Sequence, residues 1–405
     1  MRLKTVRDVA EWRLCAGCGA CAYACRDKLV SLKDVFDDGI RPFVAEGDCR
    51  DCTDCLQVCP GIGLSRSLPQ GGANGAFEKW GPILSVWEGY AIDEEVRFRG
   101  SSGGAATAIA LYCMEELGFV GVLHTGAGDT ALSNKTHYSA SREELLARAG
   151  SRYSPASPCD SFGLIESAER PSLFIGKPCD AAALRKAAGI RPALKEKAGA
   201  SVALFCAGTP STKGTAELIN SLGAEVADAR EIRYRGRGWP GVFSARIKGA
   251  PLEVSYREAW SFLQKYRPYR CHLCPDGTGE FADISCGDAW HREDGGMGRS
   301  IVLARTMRGQ EIVEGAIRAG YLKLERSNEG AIAAAQPNLL EKKSALWGRL
   351  LAFRVFTLPS PAFNGFFLRR LWKPLGTKEK VRAVLGTARR IVRRGYLKRK
   401  SFISA

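Results

Sequence analysis

Cys15-Ala16-Gly17-Cys18-Gly19-Ala20-Cys21-Ala22-Tyr23-Ala24-Cys25 and Cys49-Arg50-Asp51-Cys52-Thr53-Asp54-Cys55-Leu56-Gln57-Val58-Cys59-Pro60 carry one spacing twice, C-x2-C-x2-C-x3-C, within the first 60 residues. Two-residue spacers let a tight loop aim three thiolates at three corners of one iron–sulfur cubane, while the fourth cysteine points out of the loop towards the other cluster. The spacing assigns Cys15, Cys18, Cys21 and Cys59 to one 4Fe–4S cluster and Cys49, Cys52, Cys55 and Cys25 to a second. Ala16, Gly17, Gly19 and Ala20 are small enough for backbone N–H groups to reach sulfur. Zinc is the competing occupant, because C-x2-C pairs also build tetrahedral sites; it needs four ligands in two pairs, which the third and fourth cysteines of each run do not supply. Arg26 stands where the second run has Pro60, and removes no ligand. An α+β, ferredoxin-like 4Fe–4S module over residues 1–66 is expected.

The remaining chain sets the bounds. At 405 residues, 45% hydrophobic and 25% charged, it suits an ordinary globular protein of one to three domains. No apolar run approaches the ~18 residues of a spanning helix, and Met1–Leu14 has no signal-peptide core. A cytoplasmic protein is expected. In that reducing setting clustered cysteines, among the fifteen present, are metal ligands before they are disulfides. The four histidines (His124, His137, His272, His291) are scattered, so thiolate dominates any metal site. The net charge of +16 is uneven: from Arg369 onward there are thirteen Lys or Arg and one acid, Glu379. Basicity belongs to the tail, and no nucleic-acid partner is expected of the body.

Ser67 to Gly75, rich in Gly, Ser and Pro, reads as a linker. Beyond it the pattern becomes strand–glycine–helix. A helix is expected over Ala105–Leu117 with a strand at Phe119–His124. Ser172–Ile175 reads as a strand leading through Gly176 to a helix at Ala181–Ala188, and Ser201–Phe205 as another leading to Thr215–Leu222. Phe243–Ile247 and Leu252–Ser255 read as a hairpin, predicting a mixed sheet. From about Asn338 the chain reads as helical and ends in the basic tail. Four further cysteines sit at loops of this body, Cys179, Cys206, Cys271 and Cys274; from spacing alone they are as well explained as buried or incidental thiols.

Seven short motifs then occur in order: Gly100-Ser101-Ser102-Gly103-Gly104, Ser151-Arg152-Tyr153, Gly176-Lys177-Pro178-Cys179, Cys206-Ala207-Gly208-Thr209-Pro210-Ser211, Arg233-Tyr234-Arg235 with Gly238-Trp239, Cys271-His272-Leu273-Cys274, and Ala282-Asp283-Ile284-Ser285 with Gly287-Asp288-Ala289-Trp290. Together they make residues 15 to about 295 resemble the coenzyme F420 hydrogenase/dehydrogenase beta-subunit family, which includes 7-hydroxymethyl chlorophyll a reductase. The resemblance implies an α/β body over residues 83–325 that binds a flavin, FAD, beside an iron–sulfur cluster. It also implies an oxidoreductase that moves two electrons between a reduced deazaflavin or similar organic partner and one-electron clusters. The glycines and N–H groups of Ser101, Ser102, Gly103 and Gly104 would suit a phosphate at a helix start, with a plain helix cap as the alternative. Arg152 would pair with a flavin phosphate or stand as a surface charge, and Gly176, Lys177 and Pro178 form the loop before Cys179. Lys177 stands where the family more often has threonine. Cys179, Cys206, Cys271 and Cys274 count to four, enough for a third 4Fe–4S cluster, with Cys286 in reserve and Cys113 and Cys159 structural. No general acid or base is nominated.

The expected partners are a one-electron carrier such as ferredoxin, a small redox substrate and a partner subunit. The rival readings are a non-catalytic electron-transfer subunit and a reductase of a pigment or glycan-related substrate. The tail, residues 338–405, spaces Val381, Val384, Leu385, Ala388, Ile391 and Val392 at helical intervals among its cations. It would lie on an anionic membrane surface, or be a solvated helix packed on the body or on an acidic partner.

Overall fold

The computed structural model describes residues 3–45, 49, 52–69, 72–292 and 297–402. The cysteine module starts with the helix Val6–Glu11, whose entry is fixed by a reciprocal cap between Thr5 and Asp8. The short helix Ala20–Ala24 follows Gly19. An antiparallel hairpin, Val30–Val35 with Gly39–Val44, turns at Gly39, whose φ of +88° favours glycine. The helix Asp54–Gln57 and the strand Gly63–Ser65 close the module.

The body is built on eight strands: β1 Ser85–Ala91, β2 Val122–Ala127, β3 Asn134–Ser139, β4 Ser172–Gly176, β5 Ala198–Leu204, β6 Ile284–Asp288, β7 Ser300–Ala304 and β8 Leu322–Ser327. Their order across the sheet is β8-β1-β7-β6-β5-β4-β2-β3. β2, β4, β5 and β6 are parallel neighbours, and the flanking pairs are antiparallel. The sheet is therefore mixed, but not through the expected hairpin. Val242–Ile247 and Ala250–Ser255 do pair, yet they join Ala229–Arg233 in a separate three-stranded sheet. The reason lies in their burial. All five residues of β7 are buried, as a central strand requires, whereas Val242–Ile247 alternates and buries only Phe243 and Ala245, against Leu218, Ile219 and Leu263.

Several boundaries also move by one to three residues, and two of the shifts have a plain local cause. The strand expected at Phe119–His124 begins at Val122, because Gly118 turns with φ +67° and the Phe119 N–H bonds back to Cys113 O. The helix expected from Ala181 begins at Pro178, where proline suits the first turn, with the Asp180 carboxylate accepting the Lys177 N–H at 2.9 Å.

After β8 and the helix Glu329–Ala335 come the helices Pro337–Ser344, Leu346–Val355, Leu368–Trp372 and Thr377–Arg393. They return to the start of the chain. Leu346, Leu350, Phe353, Phe366, Ile391 and Tyr396 share one core with Val9, Trp12, Leu14, Cys59 and Leu64. Each fully buried Leu, Ile or Phe there contributes about 1.5–3 kcal/mol. A short strand, Ala362–Asn364, adds parallel to Gly63–Ser65. Glu280, 4% exposed, meets both Arg66 and Lys343, tying the end of the cysteine module, the body and the C-terminal helices at one carboxylate. Among the described residues no helix is long and apolar enough to cross a membrane.

Candidate metal centres and cofactor site

Twelve cysteines fall into three groups of four. Cys15, Cys18, Cys21 and Cys59 line one cavity with Val6, Val9, Leu32, Ile40 and Pro42. Burial, then the thiols of Cys15, Cys18, Cys59 and Cys55, push the Cys21 thiol well above its usual range. Burial, then Cys18 and Cys15, raise Cys59 to about 12. The backbone comes as close as the small residues allow: Gly17 N–H donates to Cys15 Sγ and Gly61 N–H to Cys59 Sγ, both at 3.3 Å. Gly61 has no room for a side chain, since a Cβ there would stand 3.1 Å from Cys59 Sγ and 2.7 Å from Leu14 O.

Around Cys55 gather the thiols of Cys52, Cys49 and Cys25, which with burial raise its pKa. Leu29 N–H donates to Cys25 Sγ at 3.3 Å. Cys49 and Cys52 are exposed, in contrast to the buried Cys18, Cys21 and Cys59. Cys55 acts on Cys21, so the first two groups are adjacent.

The third group is assembled from distant parts of the body. Cys179 follows the end of β4, Cys206 follows β5, and Cys271 and Cys274 flank the end of the helix Tyr269–His272. Burial and Cys271 raise Cys206 to about 11, and Cys206 and Cys274 add to the burial that raises Cys179. Gly208 brings the loops together: a Cβ there would lie 3.1 Å from Cys271 Cβ. Cations surround this group, with Lys342 and Arg270 acting on Cys274 and Arg267 facing Cys271 and Cys206. Cys286 is apart from it, inside β6, its pKa raised to about 12 by burial alone. Among the described residues no three His, Cys, Asp or Glu side chains are gathered for a single metal ion. A lone tetrahedral ion would draw its sulfurs within about 4 Å of one another, while a cubane keeps each on its own iron.

Two cations bridge the groups, and spacing gave no sign of either. Lys177 Nζ lies 2.7 Å from the buried Asp180 carboxylate; burial opposes its charge, but Asp180 and Cys179 outweigh it and raise its pKa. Lys177 also acts on Cys18 of the first group and Cys206 of the third. Arg41, buried on the hairpin and bonded to Asp38 at 3.1 Å, feels both Cys15 and Cys271. Lys186 sits near Cys59 and Cys18. Cys159 is buried and bonded to Cys18, through its N–H to Cys18 O at 3.0 Å and through the thiols.

The remaining candidates converge at the carboxyl edge of the parallel strands, where open α/β sheets bind nucleotides. Ser101 Oγ accepts the Ser151 N–H at 2.6 Å, joining two of the sequence motifs. Ser102 Oγ donates to Arg299 O at 2.9 Å, and Gly103 N–H donates to Ser300 Oγ at 3.0 Å. Gly104, at φ +76°, opens the helix Ala105–Glu115 without a side-chain cap. That end keeps first-turn N–H groups for an anion, so the loop fits a phosphate, although Ser102 and Gly103 are spent on the sheet. Arg152 is committed inward, donating to Asn134 Oδ1 and to Ile232 O at 2.9 Å, with Tyr234 under its guanidinium. An ion pair joins two further motifs: the buried Arg235 grips Asp288 through bonds of 2.9 and 2.8 Å, with its guanidinium against the stacked rings of Tyr256 and Trp290.

Residues 14–61 match the family model described as 4Fe-4S dicluster domain. Residues 86–162 match the model for the N-terminal part of the coenzyme F420 hydrogenase/dehydrogenase beta subunit, and residues 170–329 match the model for its C-terminal part. The chain is 28% identical over 262 residues to coenzyme F420 hydrogenase subunit beta of Methanosarcina barkeri, covering 62% of this chain and 84% of that one. To F420-dependent formate dehydrogenase subunit beta of Methanocaldococcus jannaschii it is 27% identical over 244 residues, covering 60% and 62%. A chain of the F420-reducing NiFe hydrogenase complex from Methanosarcina barkeri shares the fold, with a TM-score of 0.53 at 24% identity over 67% of this chain and 94% of that one.

Proposed function

Because this chain belongs to the coenzyme F420 hydrogenase/dehydrogenase beta-subunit family, an oxidoreductase family, we propose that it is an iron–sulfur, flavin-dependent subunit passing electrons between a two-electron organic donor, a reduced deazaflavin or its like, and one-electron carriers. The observation that carries this reading is the succession of three neighbouring four-thiol groups, the one at the carboxyl edge of the sheet joined to the middle one through Lys177 and Arg41, and the middle one to the group with the exposed Cys49 and Cys52 through Cys55. In it Cys179, Cys206, Cys271 and Cys274 hold the innermost 4Fe–4S cluster, Cys15, Cys18, Cys21 and Cys59 the middle one, and Cys49, Cys52, Cys55 and Cys25 the outermost.

A bound FAD would take up a hydride and release electrons singly, which clusters alone cannot do. Ser101–Gly104 would offer its phosphates the uncapped start of Ala105–Glu115, and Gly176, Lys177 and Pro178 would border it beside Cys179. Arg152 would serve by fixing the Ser151–Tyr153 loop through Asn134 and Ile232. Lys177, Arg41 and Lys186 would balance charge on the two inner groups, and the apolar lining of the middle group would exclude water. The exposed outer group would meet a carrier such as ferredoxin or a partner subunit. The relatives' names, each a subunit, favour the partner.

Anaerobically purified protein should contain about twelve iron and twelve sulfide per chain and release FAD on acid treatment. A folded, colourless, iron-free chain would overturn the proposal. Oxidation of reduced deazaflavin by the isolated chain with an artificial acceptor separates an enzyme from a subunit that only conducts.

A further inference from the structure

The helix Thr377–Arg393 buries one face, Ala383, Thr387 and Ile391, towards the body and leaves a second apolar line outside. Val381, Leu385 and Val392 are 48%, 61% and 58% exposed, and Leu397 just beyond the helix is exposed as well. At 3.6 residues per turn, Val381, Leu385, Ala388 and Val392 fall within an arc of about 60°, and Lys378, Arg382, Arg389 and Arg393 within the next arc of about 60°. These four cations form no ion pair among the described residues, unlike Arg370, Arg399 and Lys400, which bind Glu78, Asp8 and Asp37. The single acid of the helix, Glu379, is turned to its start, accepting the Gly376 N–H at 2.8 Å.

We propose that this strip docks the protein on an anionic lipid bilayer. Cores of protein–protein interfaces are rich in aromatic residues and Met, whereas this strip is purely aliphatic and narrow. Methyl groups in one line with a row of unpaired cations along its edge match the boundary between acyl chains and headgroup phosphates. There the aliphatic side chains enter and the long Lys and Arg stems reach back to the charge. The helix would lie in the membrane plane, in keeping with the absence of a spanning helix among the described residues. It also lies beyond the last residue matched to the family, 329, so the inference does not rest on the redox reading.

The test uses the full, cofactor-loaded chain and sedimentation with phosphatidylcholine vesicles with or without phosphatidylglycerol. The wild type should pellet about tenfold more with the anionic vesicles, and less as salt rises. The Leu385→Glu, Val392→Glu double variant should fall to the level of neutral vesicles; both positions are exposed, so its iron content and visible spectrum should stay as in the wild type. Equal pelleting with both vesicles, or of variant and wild type, would overturn the proposal. So would a chain that ignores lipid but loses an acidic protein partner when the strip is mutated.

Discussion

The two cysteine runs at the start of the chain share one spacing, and the two thiol groups they supply are opposites in setting. Cys18, Cys21 and Cys59 are buried beside Val6, Val9 and Leu32, whereas Cys49 and Cys52 are exposed. Spacing points to which thiols meet in each group, because three of each four lie in one short loop. It did not decide how wet each group is. That comes from what covers them: Leu14 and Cys59 lie under Leu346, Leu350 and Phe366, residues that follow about 300 positions later. A motif chooses ligands, and the remaining chain sets access and potential.

Cys18→Ser should break this contrast most severely. The middle group should lose its iron, about a third of the total, and reduction of the outer group from the body should slow by more than about 100-fold, read by iron assay and stopped-flow absorbance. Unchanged reduction of the outer group would mean that electrons do not pass through the middle one. Cys52→Ser should cost a similar amount of iron, taken from the exposed outer group, and leave the spectrum of the buried middle group unchanged. Only transfer to an outside carrier should fail.

Lys186→Met should sharpen the comparison by acting on one group alone. Its ammonium sits near Cys59 and Cys18, so without it the added electron is less well compensated and the middle potential should fall by tens of millivolts. An EPR-monitored titration should show the outer group unmoved.

The smallest effect belongs to a residue remote from both groups. Burial first, then the neighbours His137 and Arg148, hold His124 down at about 4, neutral and bonded to Ser139 Oγ at 2.8 Å. The unfolded chain takes up that proton between its ordinary value near 6.5 and 4, so the stability it supports is present above pH 6.5 and lost as pH falls towards 4. His124→Gln should flatten the fall in unfolding free energy over that window and leave the cluster spectra as they are.

Local chemistry was legible in the sequence. The strand–glycine–helix units around Gly176 and Gly208 could be read because each turn is punctuated where the chain reverses. The third thiol group could only be counted. Cys179 and Cys206 are neighbours because β4 and β5 are, and no spacing rule spans the 92 residues from Cys179 to Cys271. Lys177 and Arg41 were missed as bridging charges for the same reason, each acting on groups supplied by other elements. The hairpin at Val242–Ser255 was legible as a hairpin, but which sheet it joins depends on helices that cover one of its faces. The spacing of Val384 and Ile391 marked a helix with a face to pack, but nothing local showed that this face covers the cysteine module.

The pairing of Ala362–Asn364 with Gly63–Ser65 sets an order of assembly. During synthesis the cysteine loops emerge almost 300 residues before the strand and helices that close over them. The module waits uncovered for most of translation, an interval in which iron and sulfide can be delivered to Cys15, Cys18 and Cys21 without opening a finished core. Once the last helices dock, the same atoms lie behind a seal, and a chain that finished empty would have to undock its own end to be filled.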